Sequence, residues 1–202
     1  RHPAAMLQPT PGDDAPAWTV ELLDGNLHLS DACLRLYGHP GLLTVAASIL
    51  GDDFVPYNEV TFVKEPGLGP SVAWHQDGTT HWTAPDWDQG AHGFNFMTQL
   101  YPSTAGNGVW VLPGSHKHGK ADIKKMVAEC GSDRLEGAVP MLCDAGDTIV
   151  TNRQLVHGSF ANTSADVRVT INFGFHRRDC VLGVTSGGVH NPVAMYDDAR
   201  IR

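Results

Sequence analysis

The chain has 202 residues, with 14 Lys+Arg against 22 Asp+Glu, a formal net charge of −8, and 18% charged against 42% hydrophobic residues. One hydrophobic core serves lengths up to roughly 250 residues, so residues 1–202 are expected to form a single domain. With no cluster of Lys and Arg beyond Lys117 to Lys125 there is no basic face for nucleic acid, and the longest apolar run, Leu42 to Leu50, is far short of the roughly 20 residues of a membrane span.

Cys33, Cys130, Cys143 and Cys180 stand apart without a C-x-x-C pair. Reduced thiols and a cytoplasmic setting are the expectation. Eleven histidines are a large reserve of groups able to bind metal or titrate near neutrality. The chain opens at Arg1, which predicts native residues before it.

Residues 1–17, rich in Pro, Asp and Ala without an apolar period, read as an arm. Trp18–Leu23 and Leu27–Leu29 flank Asp24-Gly25-Asn26, which predicts a small hairpin. Ser30 is placed to cap a short helix through Leu36, and Leu42–Leu50 predicts a second. From Phe54 the pattern changes to short β-rich runs: Val55–Val63, Val72–Trp74, Phe94–Leu100, Val109–Leu112, Thr148–Thr151, Val156–His157 and Val167–Phe175. Their spacing, punctuated by Gly, Pro and Asp, predicts a mainly β fold, an antiparallel sandwich or jelly roll with a few flanking helices. Ala121–Cys130 reads as a polar helical excursion between strands. In Val167–Phe175 the odd positions are apolar, while Arg168, Thr170, Asn172 and Gly174 share the other face with His176. The apolar face is expected to pack between sheets and the polar face to line a cavity.

Trp74-His75-Gln76-Asp77 places an imidazole and a carboxylate at i and i+2 on one face of a strand end. His157, on a later strand, offers a third ligand. Two histidines and a carboxylate on one face of an octahedron leave three positions open, as non-haem Fe(II) oxygenases require. His-x-Asp alone recurs by chance. Arg168 adds meaning, because eleven residues after His157 an antiparallel return brings its guanidinium back beside the ligands, where it can clamp a carboxylate. A 2-keto dicarboxylate would chelate iron at one end and pair with Arg168 at the other, which points to 2-oxoglutarate. Met97 and Gln99 share a strand face expected to look into this cavity, with Gln99 beside the co-substrate. The parity of Asn58 and Glu59 assigns neither of them a face. His81 and Trp82, with Trp87, follow the ligands in a loop suited to substrate contact, and Arg153 is a candidate for an anionic substrate group. His116 and His118 form an alternating pair without a third ligand and read as turn residues.

Trp74-His75-Gln76-Asp77-Gly78, Gly106-Asn107-Gly108-Val109-Trp110-Val111-Leu112-Pro113-Gly114-Ser115-His116, Ala145-Gly146-Asp147-Thr148 and His157-Gly158-Ser159, with Asn162-Thr163-Ser164 and Arg168, occur in this order. Together they resemble the phytanoyl-CoA dioxygenase family over a core of about residues 54–178. The resemblance implies a double-stranded β-helix (cupin-like jelly roll), Fe(II) held by His75, Asp77 and His157, and 2-oxoglutarate held by Arg168 with help from Ser159. It implies use of O2 to hydroxylate a C–H bond of a small-molecule substrate, with release of succinate and CO2. An aspartate at 77, where related halogenating sites have a small residue, favours hydroxylation. Two other readings use the same ligands. A zinc hydrolase would leave Arg168 and Ser159 without a purpose, and Ser159 lacks a Gly-x-Ser-x-Gly context. A non-catalytic metal-binding jelly roll would retain the fold without turnover.

Overall fold

In a computed structural model of the chain, residues 4–10, 12, 18–69, 71–77, 90–183, 185–186, 194–195, 197 and 199 are described. Their order is β1 (Ala5–Pro9), β2 (Trp18–Asp24), α1 (Asn26–Leu29), α2 (Asp31–Tyr37), α3 (Pro40–Leu50), β3 (Phe54–Lys64), β4 (Val72–His75), β5 (Gly93–Gln99) and β6 (Val109–Val111). There follow α4 (Ile123–Cys130), β7 (Val139–Pro140), β8 (Thr148–Asn152), β9 (His157–Ser159), β10 (Arg168–Arg177), β11 (Thr185–Ser186) and β12 (Ala194–Met195). One antiparallel sheet runs β1-β2-β3-β10-β5-β8 and a second runs β4-β9-β6-β7, while β11 and β12 pair separately. Two such sheets facing one another make the jelly roll expected from the strand pattern.

The two faces of β10 divide the molecule. Phe173 and Phe175, with Phe94 and Phe96 of β5, pack against Tyr37, Ala46 and Leu50 of the helices. The apolar face therefore lies under α2 and α3, not between the sheets as its alternation suggested. Opposite, Arg168, Thr170 and Asn172 line a cavity of about 270 Å³ together with residues of the second sheet. A separate apolar plug of Met97, Val109, Val111 and Ile149 joins the sheets beside it.

Local chemistry explains the helix starts. The His39 ring accepts from Gly41 N at 3.2 Å with Pro40 as the first helical residue of α3, and Asp122 Oδ1 accepts from Lys125 N at 3.1 Å to cap α4. Ser30 stands at the N-cap of α2, but its side chain makes no capping bond. The α4 excursion proves more than a surface insertion, since Ile123 and Met126 pack over Trp74, Leu135 and Val156 on the outer face of the second sheet.

Two N-terminal expectations are corrected. The segment read as an arm contains β1, an edge strand on β2 that ends at Pro9, and sheet edges are where proline is tolerated. The predicted Trp18–Leu29 hairpin does not form. Gly25, at φ 71°, leads into the turn of α1, where Ser30 N bonds to Asn26 O at 3.0 Å, and β2 pairs with β1 and β3 instead. Three residues of apparent alternation, Leu27-His28-Leu29, fit one helical turn as well as a strand. No helix among the described residues is long and apolar enough to cross a membrane.

Candidate metal and dicarboxylate site

Trp74, His75, Gln76 and Asp77 alternate between the two sides of the second sheet. Trp74 is buried outward under α4. Gln76 also turns away, donating from Nε2 to Gln154 O at 2.7 Å and to Gly119 O at 3.1 Å while accepting from Ala121 N at 2.8 Å. These bonds pin the segment so that His75 and Asp77 face the cavity. In the β4–β9 register His75 lies opposite His157, and their rings approach to 4.1 Å between centroids.

His75 Nε2 is 3.5 Å from Asp77 Oδ1, and His157 Nε2 is 3.8 Å from Asp77 Oδ2. Candidate ligand atoms of all three lie within 4.8 Å of one another, the one such cluster of three among the described residues. Each imidazole is oriented by a backbone carbonyl: His75 Nδ1 is 2.8 Å from Ala73 O and His157 Nδ1 2.8 Å from Leu155 O. With Nδ1–H donating to a carbonyl, the neutral ring presents Nε2 as a lone-pair donor, which is the tautomer a metal needs. Burial holds the pKa of His157 below its usual value. Burial also opposes charge on His75, but the hydrogen bond and charge of Asp77 outweigh it and raise that pKa. For Asp77, burial is overcome by Arg153 and the two histidines, so the carboxyl stays well below its usual range and is ionised at neutral pH. The donor set fits a divalent metal of borderline softness.

Arg168 is only 2% exposed, and among the described residues its side chain makes one hydrogen bond, from Nη1 to Ser159 Oγ at 3.4 Å, with Nε buried and without a partner. Lys64, opposite Arg168 in the β3–β10 register, is equally buried and donates to Phe160 O. Burial, then the neighbouring guanidinium, pushes the Lys64 ammonium down to about 7. Burial lowers Arg168 to about 10, leaving it charged. Both cations line the cavity that holds the metal-ligand cluster, an arrangement complementary to an anion reaching across from a metal.

Of the other expected site residues, Gln99 is buried away from the cavity. Its Oε1 accepts from Thr170 at 2.7 Å and its Nε2 donates to Met97 O at 3.2 Å, so it meets the cavity through the lining residues Thr170 and Met97. Arg153 does line the cavity, bonded to Asn58 and Asn95 and facing Asp77. His81, Trp82 and Trp87 lie outside the described residues. Lys64, Asn58 and Asn95 were not singled out from sequence as site residues. The available signal was the parity shared by Asn58, Val60, Phe62 and Lys64, which all line the cavity.

Facing antiparallel sheets with two histidines and a carboxylate between them define a cupin-like jelly-roll protein built to carry a metal. The chain matches the phytanoyl-CoA dioxygenase family over residues 8–170 and belongs to that family. A phytanoyl-CoA dioxygenase 1 of Oryza sativa subsp. japonica is 33% identical over 112 residues, covering 50% of this chain and 37% of that protein. An L-proline trans-4-hydroxylase of Streptomyces griseoviridis is 26% identical over 199 residues, 87% of this chain and 70% of that one. The fold is shared with EctD from S. alaskensis, solved with 2-oxoglutarate and 5-hydroxyectoine, at a TM-score of 0.68 and 20% identity over 91% of this chain and 67% of that one. The chain spans about half or less of the length of the plant relatives it matches.

Proposed function

We propose that the protein is an Fe(II)- and 2-oxoglutarate-dependent oxygenase that hydroxylates an unactivated C–H bond of a small molecule. The observation that carries this reading is the pairing, within one cavity, of a two-histidine, one-carboxylate cluster with the buried Arg168, which is bonded to no carboxylate among the described residues. Bound iron would supply the dioxygen chemistry, in which substrate, O2 and 2-oxoglutarate become alcohol, succinate and CO2. The protein's part is binding, orientation and exclusion of water. His75, Asp77 and His157 would hold the metal; Arg168, with Ser159 and Lys64, would hold the far carboxylate of the co-substrate. Family membership supports the cofactor pair, and the name of the proline-hydroxylating relative supports a small-molecule substrate.

Anaerobic addition of Fe(II) and then 2-oxoglutarate is expected to produce the visible metal-to-ligand charge-transfer band of a chelated 2-keto acid. Its absence in folded, iron-loaded protein would overturn the proposal. Arg168→Ala is expected to raise the half-saturating 2-oxoglutarate concentration by roughly 30-fold or more, since losing one partner of a buried charged pair costs about 2 kcal/mol at least.

A further inference from the structure

Arg153 presents a bookkeeping problem of its own: a guanidinium only 8% exposed, on the wall of the metal cavity. Read from sequence, it suited an anionic substrate group. Its Nη donors, however, are directed at neighbours that lead to the metal cluster, while among the described residues Nε is buried without a partner. Nη1 donates to Asn95 Oδ1 at 2.7 Å and to Asn58 Oδ1 at 3.1 Å, Nη2 faces Asp77 Oδ2 at 3.8 Å, and the guanidinium carbon lies 5.1 Å from the Tyr57 ring centroid. The backbone joins in, because Asp77 N donates to Arg153 O at 2.9 Å.

Asn95 turns these contacts into a constraint on Asp77. With its carbonyl oxygen directed at Arg153, the amide must present its NH2 on the other side, and Nδ2 donates to Asp77 Oδ2 at 3.0 Å. The guanidinium thus settles which way the amide points. Gly174 makes the convergence sterically feasible: a Cβ there would sit 2.6 Å from Asn58 Oδ1 and 3.0 Å from Asn95 Oδ1. A bare α-carbon on β10 lets both amide oxygens meet the guanidinium.

Resting on the metal-site reading above, we infer that Arg153, acting with Asn95, is a positioning residue that fixes Asp77 as a one-oxygen metal ligand. Oδ2 takes the Asn95 amide at 3.0 Å and faces the Arg153 cation as well as His157, both at 3.8 Å, whereas Oδ1, 3.5 Å from His75 Nε2, is the oxygen left for the metal. A carboxylate restrained in this way cannot swing to bind through both oxygens, so it leaves coordination positions open for a chelating keto acid and a further ligand. Partners of ligating carboxylates orient the ligand, and their loss typically weakens metal binding about 10–100-fold.

Titration of the intact protein with Co(II), followed by visible absorption and calorimetry, tests the assignment. Arg153→Met is expected to weaken Co(II) binding by about 10–100-fold and to change the ligand-field spectrum, with partial recovery in Arg153→Lys, which keeps the charge without the planar fork. Asn95→Leu, which leaves Arg153 in place, should shift affinity and spectrum in the same sense and serves if Arg153→Met fails to fold. Failure of the wild-type protein to bind Co(II) would overturn the metal-site reading and this inference with it. Wild-type binding with unchanged affinity and spectrum in the variants would overturn this inference alone, returning Arg153 to a substrate contact.

Discussion

Lys64 and Arg168 sit opposite one another on adjacent strands, each 2% exposed, with no carboxylate bonded to either among the described residues. Their proximity, offset in part by the Glu21 carboxylate on the cavity wall, costs the apo protein stability and readies it for an anion. A lysine whose folded pKa is about 7 against a usual 10.5 binds a proton less readily folded than unfolded between those values. Stability from this group therefore rises with pH from 7 upward and is at its lowest below 7. For anion binding the sign reverses, because a bound carboxylate favours the charged ammonium. With metal preloaded, 2-oxoglutarate affinity is expected to be highest below pH 7 and to fall above it, by at most about tenfold per pH unit, the limit for one linked proton. Lys64→Met should weaken binding at pH 6 and flatten the profile; a flat wild-type profile would refute the linkage. The metal ligands and Arg168 were legible because their spacing carries them, with i and i+2 on a strand end and a return strand after His157. Lys64 was not, since the predicted strand stops at Val63, and it is the pairing with Arg168 and the close approach of Gly69 that bury it. Asn58 and Asn95 were hidden similarly, and Arg153 was singled out only for a substrate anion, as the meeting of the three depends on three strands converging at Gly174.

At the scale of elements, β10 carries the site on one face and the helix-covered core on the other. Its alternation predicted two chemically different faces. It did not predict that the apolar one would meet helices, because burial under a helix and burial under a sheet ask for the same side chains. The structure ties the faces together at Gly174, where the β3–β10 register shifts. Tyr37 of α2 donates its hydroxyl to Gly174 O at 2.9 Å, and its ring packs 4.8 Å from that of Phe173 at a tilt of 40°. Tyr37→Phe keeps the ring and removes one neutral hydrogen bond, so a loss of about 1 kcal/mol is expected. For a chain of this length that lowers Tm by about 2–4 °C. Phe173→Ala removes a ring only 1% exposed, and is expected to cost about 3–5 kcal/mol. Calorimetric melts of the two variants separate the contributions; similar losses would mean that the core does not rely on this face.

For the molecule as a whole, the site joins parts that backbone bonds leave separate. His75 and His157 belong to the four-stranded sheet, Asp77 follows β4, and Arg168 and Lys64 belong to the six-stranded sheet. A metal alone would tie together β4, β9 and the segment after β4. A metal with a chelated dicarboxylate would reach from one sheet to the other, adding a non-covalent cross-link through the cavity. Any ligand that binds the folded but not the unfolded chain stabilises by RT ln(1 + [L]/Kd), about 2.7 kcal/mol at a hundred times Kd. At about 2–4 °C per kcal/mol that is a rise in Tm of roughly 5–11 °C for the co-substrate beyond the shift from metal. The expected pattern in anaerobic thermal melts is a modest rise with Mn(II) alone, little with 2-oxoglutarate alone, and the full rise only with both. In Arg168→Ala the shift from Mn(II) should persist while the additional shift from 2-oxoglutarate shrinks toward zero. Equal additional shifts in wild type and Arg168→Ala would mean that the dicarboxylate is held by one sheet only, and the bridging arrangement would have to be abandoned.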